Sequence, residues 1–494
     1  MLTYDLESRG GLSLYEFLYR RLREDILSGA LAAGERLPSK RALAEHLRVS
    51  VVTVESAYQQ LEAEGYVDAR PRRGFFVSPV NRLPAAREGI SIPPEEPPRT
   101  WRLDLKSGRV DSFPSALWAR LTRQVLSEGD HLSPVPHQGL PALRRAIAQD
   151  LRDFKGMAVS PEQIVVGAGA EYLYLLLAQL LGRTSVFALE DPGYPKIRQV
   201  YGQWGAECRP IPLDGQGMAL EPLYASGATV AHLSPAHHYP TGTVTPIVRR
   251  QALLRWAQEV DGVIIEDDYD SEFRFTGRPI PTLQSIDGPG RVIYMNTFSQ
   301  TISPSMRVGF MVLPPRLLER YRQELGFYAS TVPALEQQVL ARFLQGGGSP
   351  AGSWYEQHLS RTRKQYRLRR EAVLARFARC PFAAALIDRG AGLHFLLRLN
   401  TTEDDETLRH RAEGLDVRLA FLSEYAVIPR PAYRHTLVVN YAGLDMERLE
   451  EAVALLSEIF LTSPSARLKP VAPSPRSGGS EPTPSGPEPP SPRG

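Results

Sequence analysis

The run LPSKRALAEHLRVSVVTVESAYQQLEAEGY, from Leu37 to Tyr66, reads as two helices with almost nothing between them. Ser39 stands where it caps a helix ending at Leu47. Ser50 stands where it caps a second running to Glu64, because a serine oxygen accepts from the unpaired N–H groups of a first helical turn. Only Arg48-Val49-Ser50 separates the two, the short connection of a helix-turn-helix. Gly65 ends the second helix. Tyr66-Val67 and Phe75-Phe76-Val77 then read as short strands around the turn Pro71-Arg72-Arg73-Gly74, a hairpin wing. Upstream, Leu14, Phe17, Leu18, Leu22, Ile26 and Leu27 recur at helical spacing, and Ala30 to Gly34 makes a turn. Residues 12–78 are therefore predicted to be one small α+β winged helix-turn-helix unit.

Outward from this unit the composition changes. Residues 79–100 are rich in proline and charge, including Pro93-Pro94 and Pro97-Pro98, and are expected to be an extended linker. Residues 101–463 alternate apolar strands with helical stretches. Ile164-Val165-Val166, Ser185 to Leu189, Val263-Ile264-Ile265 and Val292-Ile293-Tyr294 are continuous apolar runs, the mark of strands buried on both faces. The expected fold is a large α/β domain on a mostly parallel sheet. Residues 464–494, rich in Pro, Ser, Gly and Arg, are expected to be a disordered tail.

Composition excludes several classes. The chain has 494 residues and a net charge of +3, too small to argue for nucleic acid without local clustering. Two cysteines, Cys208 and Cys380, cannot make a disulfide scaffold or a Cys-rich zinc site. No secretory leader and no apolar run of spanning length is evident, so the expected compartment is the cytoplasm. Only six of the 58 basic residues are lysine: Lys40, Lys106, Lys155, Lys196, Lys364 and Lys469.

In a helix-turn-helix the second helix lays its exposed first turns in the DNA major groove. Here those turns carry Val52, Thr53 and Ser56, with Ser50 at the cap. Ser39, Lys40 and Arg41 open the first helix, beside the phosphates. Arg70, Arg72 and Arg73 of the wing face the backbone or minor groove. The bland alternative is a solvated basic turn on a protein-interaction module. The strings Leu37 to Ala44, Val49 to Val54 and Ala57 to Tyr66 resemble the GntR family of winged helix-turn-helix regulators, and the resemblance implies double-stranded DNA as partner. Two positions depart from it. Val51 and Glu55 stand where many members carry arginine, which weakens the expectation of guanine reading.

The large domain holds a second constellation. Gly167-Ala168-Gly169-Ala170-Glu171 follows a strand and opens an apolar helix, where small residues let backbone N–H groups approach a phosphate. Many Gly-rich βα turns hold no ligand, and an isolated Arg307 is commonly a surface ion-pair partner. Asp267 ends a strand, where ligands of α/β sheets bind. Glu266, Asp267, Asp268, Asp270 and Glu272 also read as a solvated acidic turn or a Mg²⁺ site, but without a Gly-Lys dipeptide there is no Walker A loop. His237-His238, taken as neighbours on one strand, would face opposite ways and chelate poorly, so no metal is expected.

These marks resemble fold-type I aminotransferases. They are Ser107-Gly108-Arg109, Gly139 to Arg144, Glu190-Asp191-Pro192-Gly193-Tyr194-Pro195, Pro240-Thr241-Gly242, Glu266 to Phe273 and Thr297-Phe298-Ser299. With the head, the whole chain resembles the MocR/GabR class of regulators. The resemblance implies a pyridoxal 5'-phosphate (PLP) site. Ala170, Glu171, Ser299 and Arg307 would hold the phosphate, Asp267 the pyridine nitrogen and Tyr269 the ring hydroxyl, with Tyr194 stacked on the ring. It also implies a homodimer and a two-part operator.

Two departures bear on chemistry. Gln300 occupies the position of the lysine that forms a Schiff base with PLP, and a carboxamide is not a nucleophilic amine. Val438 stands where aminotransferases often hold the substrate carboxylate with arginine. The expected function is a regulator whose large domain senses PLP or a PLP-linked metabolite such as a PLP–amino acid, bound without a covalent link. The alternative is a PLP-dependent aminotransferase with an appended DNA-binding head.

Overall fold

The computed structural model describes residues 2–80, 99–108, 112–129, 132–276, 280–347 and 352–461, and divides the chain into two units at Pro98/Arg99. Most of the expected linker, the expected tail at 464–494, and Arg109 of the Ser-Gly-Arg string lie outside the described residues.

The small unit is built from helices α1 (Leu14–Ser28), α2 (Lys40–Leu47) and α3 (Val51–Ala63), followed by strands β1 (Val67–Arg70) and β2 (Gly74–Val77). Both caps form: the Ser39 hydroxyl accepts from the Ala42 N–H at 3.2 Å and the Ser50 hydroxyl from the Thr53 N–H at 3.1 Å. Arg48 adopts the left-handed conformation that ends α2, so the chain reverses within three residues. Leu22, Leu43, Val54, Tyr58 and Leu61 are fully buried, which locks the three helices together and leaves the start of α3 outside. The strands pair antiparallel from Val67–Val77 to Arg70–Gly74, forming the wing. Residues before 12 also belong to this unit: Leu2 and Tyr4 pack on its core, and the Tyr4 hydroxyl donates to Asp25 at 2.5 Å.

In the large unit the strands are β3 (Leu103–Asp104), β4 (Ile164–Gly167), β5 (Val186–Asp191), β6 (Glu207–Asp214), β7 (Gly217–Met218), β8 (Val230–Leu233), β9 (Val263–Asp267), β10 (Val292–Thr297), β11 (Gly309–Val312), β12 (Ala383–Ile387), β13 (His394–Leu399), β14 (Val417–Arg418) and β15 (Thr436–Asn440). The main sheet has the order β4-β11-β10-β9-β8-β5-β6-β7. Strands β6, β5, β8, β9 and β10 are parallel. Strand β11 runs against both β10 and β4, and the two-residue β7 runs against β6. The sheet is thus mostly parallel, as its continuous apolar runs require: every residue of β8, β9 and β10 is buried. Helices α4 (Ser115–Glu128), α5 (Pro141–Lys155), α6 (Ala170–Leu181) and α7 (Pro195–Trp204) come from the first half of this unit. A separate antiparallel sheet, β12-β13-β15, follows the long helix Trp354–Phe377.

From β5 the chain steps outward to β6, then returns to β8 on the other side and continues to β9 and β10. The carboxyl ends of β5 and β8 therefore flank the switch point of the sheet, the place where such folds leave a crevice. The acidic run at the end of β9 is not a solvated turn. Glu266, Asp267, Asp268 and Asp270 are all buried, and each has partners. Glu266 accepts from the N–H groups of Leu283 and Gln284 at 2.8 and 3.0 Å. Lys155, at the end of α5, lies 3.0 Å from both Asp268 and Glu272.

Candidate functional site

All seven residues assigned to the cofactor by resemblance, together with Gln300, line one cavity of about 400 Å³ over the carboxyl ends of the parallel strands. That volume lies within the range of small-molecule sites.

One end is a cup at the start of α6. Gly169, at φ +83°, turns the chain so that α6 begins with no side-chain cap. A Cβ at Gly169 would lie 3.0 Å from the guanidinium carbon of Arg307, so glycine is what lets the backbone and that cation approach. Glu171 lies between two cations, Arg307 at 2.8 Å and Lys196 at 2.9 Å. Burial pushes the Glu171 carboxyl up, but the bonds from Lys196, its own backbone and Arg307 outweigh that and hold it at about 2. Ser299 joins the wall of the cup. Small residues, a free helix start and a cation suit a phosphate monoester.

At the floor, one carboxylate oxygen of Asp267 accepts from the Tyr174 hydroxyl of α6 at 2.6 Å and lies 3.4 Å from His232 Nε2 of β8. His232 is fixed in turn by the Tyr201 hydroxyl of α7, 2.8 Å from its Nδ1. Burial, with Asp267 beside it, pushes Tyr174 ionisation far up, so Tyr174 serves as a donor. The second Asp267 oxygen accepts no hydrogen bond among the described residues and is available to a ring nitrogen. Tyr269 places its hydroxyl 3.2 Å from His237 Nδ1. Tyr194 precedes α7, edge-on to Tyr239 with ring centres 6.0 Å apart.

The reading of His237-His238 needs correction. The pair lies in the loop after β8 and not on a strand, so alternation does not govern it. His237 turns inward to Asp270 at 3.0 Å, and the His394 ring lies tilted against it with ring centres 4.9 Å apart. The three donors lie within 4.8 Å of one another. Each already has a protein partner, since His394 Nε2 lies 3.0 Å from the Pro240 carbonyl. The cluster therefore fixes Tyr269 from behind. His238 lies 3.5 Å from Glu190. Burial, then His237, lowers the His238 imidazole to about 3, and burial raises the Glu190 carboxyl to about 8, against the pull of the Ser234 N–H.

Gln300 forms no side-chain hydrogen bond among the described residues and lies on the cavity wall. Val438 of β15 is buried in an apolar cluster with Leu396, Leu422 and Tyr425. Two lysines do reach the cavity: Lys196, held by Glu171, and Lys106, 3.4 Å from Glu424.

In the small unit Ser39 and Ser50 act as caps, and the Ser50 and Thr53 hydroxyls are 2.8 Å apart. Val51 and Val52 are exposed at the start of α3, Val52 by 68%. Arg41, Arg72 and Arg73 are exposed, with Arg72 in the left-handed turn of the wing. Lys40 is not free: its ammonium lies 2.6 Å from Glu55 of α3.

Residues 14–77 match the bacterial regulatory proteins of the gntR family, and residues 102–456 match aminotransferase class I and II. The HTH-type transcriptional regulator YdeL of Bacillus subtilis is 34% identical over 90% of this chain and 96% of its own length. The probable rhizopine catabolism regulatory protein MocR of Rhizobium meliloti is 31% identical over 95% and 98%. The chain belongs to the MocR-type regulators of the GntR family. An archaeal alanine:glyoxylate aminotransferase superposes on this MocR-type chain with a TM-score of 0.65 at 23% identity, covering 74% of it and 91% of the aminotransferase. The α-aminoadipate aminotransferase LysN of Thermus thermophilus, complexed with N-(5'-phosphopyridoxyl)-L-leucine, does so with a TM-score of 0.62 at 25% identity, covering 73% and 92%. This regulator thus joins a DNA-binding helix-turn-helix to an aminotransferase-like domain of a family that generally binds PLP. No helix among its described residues is long and apolar enough to cross a membrane.

Several residues at the site escaped sequence reasoning. Tyr174 and His232, which hold Asp267, come from a helix and a strand far away in sequence. Lys106 and Glu424 also line the wall. The scarcity of lysine was the one available signal for Lys106, Lys155 and Lys196.

Proposed function

We propose that this regulator binds PLP or a PLP-linked metabolite non-covalently in its large domain, and that occupancy changes how its heads engage DNA. The observation that carries the reading is the convergence of Ala170, Glu171, Tyr194, Asp267, Tyr269, Ser299 and Arg307 on one cavity whose wall also presents Gln300. Arg307, Ser299 and the start of α6 would hold the phosphate. Asp267, fixed by Tyr174 and His232, would take the pyridine nitrogen, and Tyr269 the ring hydroxyl. When bound, PLP supplies an electron-withdrawing ring. Without an amine at position 300, the pocket keeps the recognition groups and lacks the group that rapid transamination needs as nucleophile and proton carrier. A relative, PdxR of Corynebacterium glutamicum, 33% identical over 81% of this chain, is named a pyridoxine biosynthesis transcriptional regulator.

Ser39, Lys40, Arg41, Ser50, Val52, Thr53, Arg72 and Arg73 form the proposed DNA face. Two heads on a homodimer would read a two-part operator. Regulation then requires the ligand to bind two states of the dimer with different affinity.

The test is an absorbance titration with PLP of the full chain beside Gln300→Lys, with borohydride reduction. A reducible adduct in Gln300→Lys alone, with saturable uptake by both, supports the reading. Failure of both proteins to take up PLP or any phosphopyridoxyl compound would refute it. Robust turnover of amino donors by the unaltered chain would favour the aminotransferase alternative.

A further inference from the structure

The first turn of α3 ends in methyl groups. Val54, Ala57, Tyr58 and Leu61 turn into the core of the small unit, which leaves Val51 and Val52 outside, 42% and 68% exposed. The polar side chains beside them are engaged. The Ser50 and Thr53 hydroxyls lie 2.8 Å apart, and the Glu55 carboxylate lies 2.6 Å from the Lys40 ammonium. Helix α3 contains no arginine or lysine. Its remaining polar side chains on the Val52 face, Ser56 and Gln59, stand one and two turns further along.

Valine has neither a donor nor an acceptor. It gains by leaving water, and it does so only against another apolar surface. The segments on either side of the tip carry cations instead: Arg41 in α2, Arg48 in the turn before α3, and Arg72 and Arg73 in the wing are all exposed. An apolar helix tip between guanidinium groups suits a duplex, whose phosphates take the cations while the tip meets the base edges. In the major groove one base-edge group is a methyl, that of thymine. The amino, carbonyl and ring-nitrogen groups of the other bases would lose water against valine and gain no hydrogen bond in return.

We propose that Val51 and Val52 read thymine through its 5-methyl group, so that the operator carries a thymine where the tip of α3 enters the major groove. The inference rests on the proposed DNA face and adds to it which base that face selects, and by what contact.

The experiment starts by selecting sequences from a random double-stranded library with the full-length chain. Each thymine of a selected site is then replaced in turn by uracil, which pairs in the same way and lacks only the methyl. Fluorescence anisotropy at low salt, where phosphate contacts keep every protein bound, gives the affinity of each duplex for the unaltered chain and for the double variant Val51→Ala with Val52→Ala. Both valines are exposed, so their truncation spares the core, and circular dichroism checks the fold. In the unaltered chain, uracil at one or more thymines should weaken binding about fourfold, the worth of one buried methyl. The double variant should bind thymine and uracil duplexes equally. A selected site in which no thymine is sensitive to uracil overturns the inference and leaves the DNA face standing. A uracil penalty that survives in the double variant does the same. Failure of the unaltered chain to bind any duplex overturns the DNA face itself.

Discussion

Replacing Lys155 with methionine removes the cation that neutralises the acidic run behind Asp267. Lys155 lies 3.0 Å from Asp268 and 3.0 Å from Glu272, with side chains only 11%, 1% and 10% exposed, so solvent screens little of the interaction. Methionine fills the volume and leaves two carboxylates buried beside Asp150, a carboxyl already raised to about 7 by burial and then by Glu272. Removing one member of a buried charge cluster costs about 3–5 kcal/mol. The effect can be read from one domain, because all five tryptophans (Trp101, Trp118, Trp204, Trp256 and Trp354) lie in the large unit. Urea unfolding followed by tryptophan fluorescence at pH 7.5 should show that loss as a lower midpoint with an unchanged slope. The pH dependence supplies a second criterion. Burial pushes the Asp268 carboxyl up, but Lys155 with the Ser271 and Tyr294 hydroxyls more than offsets this and holds it below its ordinary value. The folded state thus favours the carboxylate. Its contribution is full above the unfolded value, about 3.9, and is lost as pH falls through the folded one. The gap between Lys155→Met and the unaltered chain should therefore narrow below about pH 4. A loss under about 1 kcal/mol at pH 7.5, or a gap that does not change with pH, would refute the argument that Lys155 compensates these carboxylates.

Three further outcomes are expected. Glu55→Gln frees Lys40 and removes an acid from the DNA face, so it should raise DNA affinity and steepen the dependence of log K on log salt by about one unit in fluorescence anisotropy. Arg72→Ala and Arg73→Ala should each weaken binding across sequences and flatten the same slope by about one unit; unchanged binding at raised salt would remove the wing from the interface. Glu190 keeps its proton to about pH 8 when folded, whereas the unfolded chain releases it near 4.5, so the fold loses stability as pH rises between those values. Glu190→Gln has no such proton, and its melting temperature should exceed that of the unaltered chain by more at pH 8 than at pH 5.

What could be read from the sequence was local. Ser39 and Ser50 announce helix starts because their partners are three residues away. The runs at β9 and β10 announce buried strands because no polar face interrupts them. The turn from Gly167 to Glu171 and Asp267 could be located by their place after strands, whereas Tyr194, Tyr269, Ser299 and Arg307 were reached only through the family resemblance. What was hidden depends on chain crossings. Lys155 meets Asp268 across 113 residues, and Lys106 meets Glu424 across 318. Neither pairing leaves a periodic trace in the sequence. The misreading of His237-His238 shows the converse limit: the two-residue period holds only on a strand, and these histidines sit in a loop where backbone direction is set by tertiary contacts.

The bracing of Glu171 between Arg307 and Lys196 has a consequence for thresholds. In the proposed site a phosphate ester entering the cup would meet a cation already paired with the chain's own anion, so filling it would exchange one negative group for another. The measured affinity is then a difference between two pairings, not the strength of one. Such a built-in competitor would weaken binding of every phosphate alike, and a ligand would prevail only by what the rest of the molecule adds. On the proposed reading, simple phosphates would be disfavoured by the same competition, and the concentration at which the site responds would be set by the remainder of the molecule.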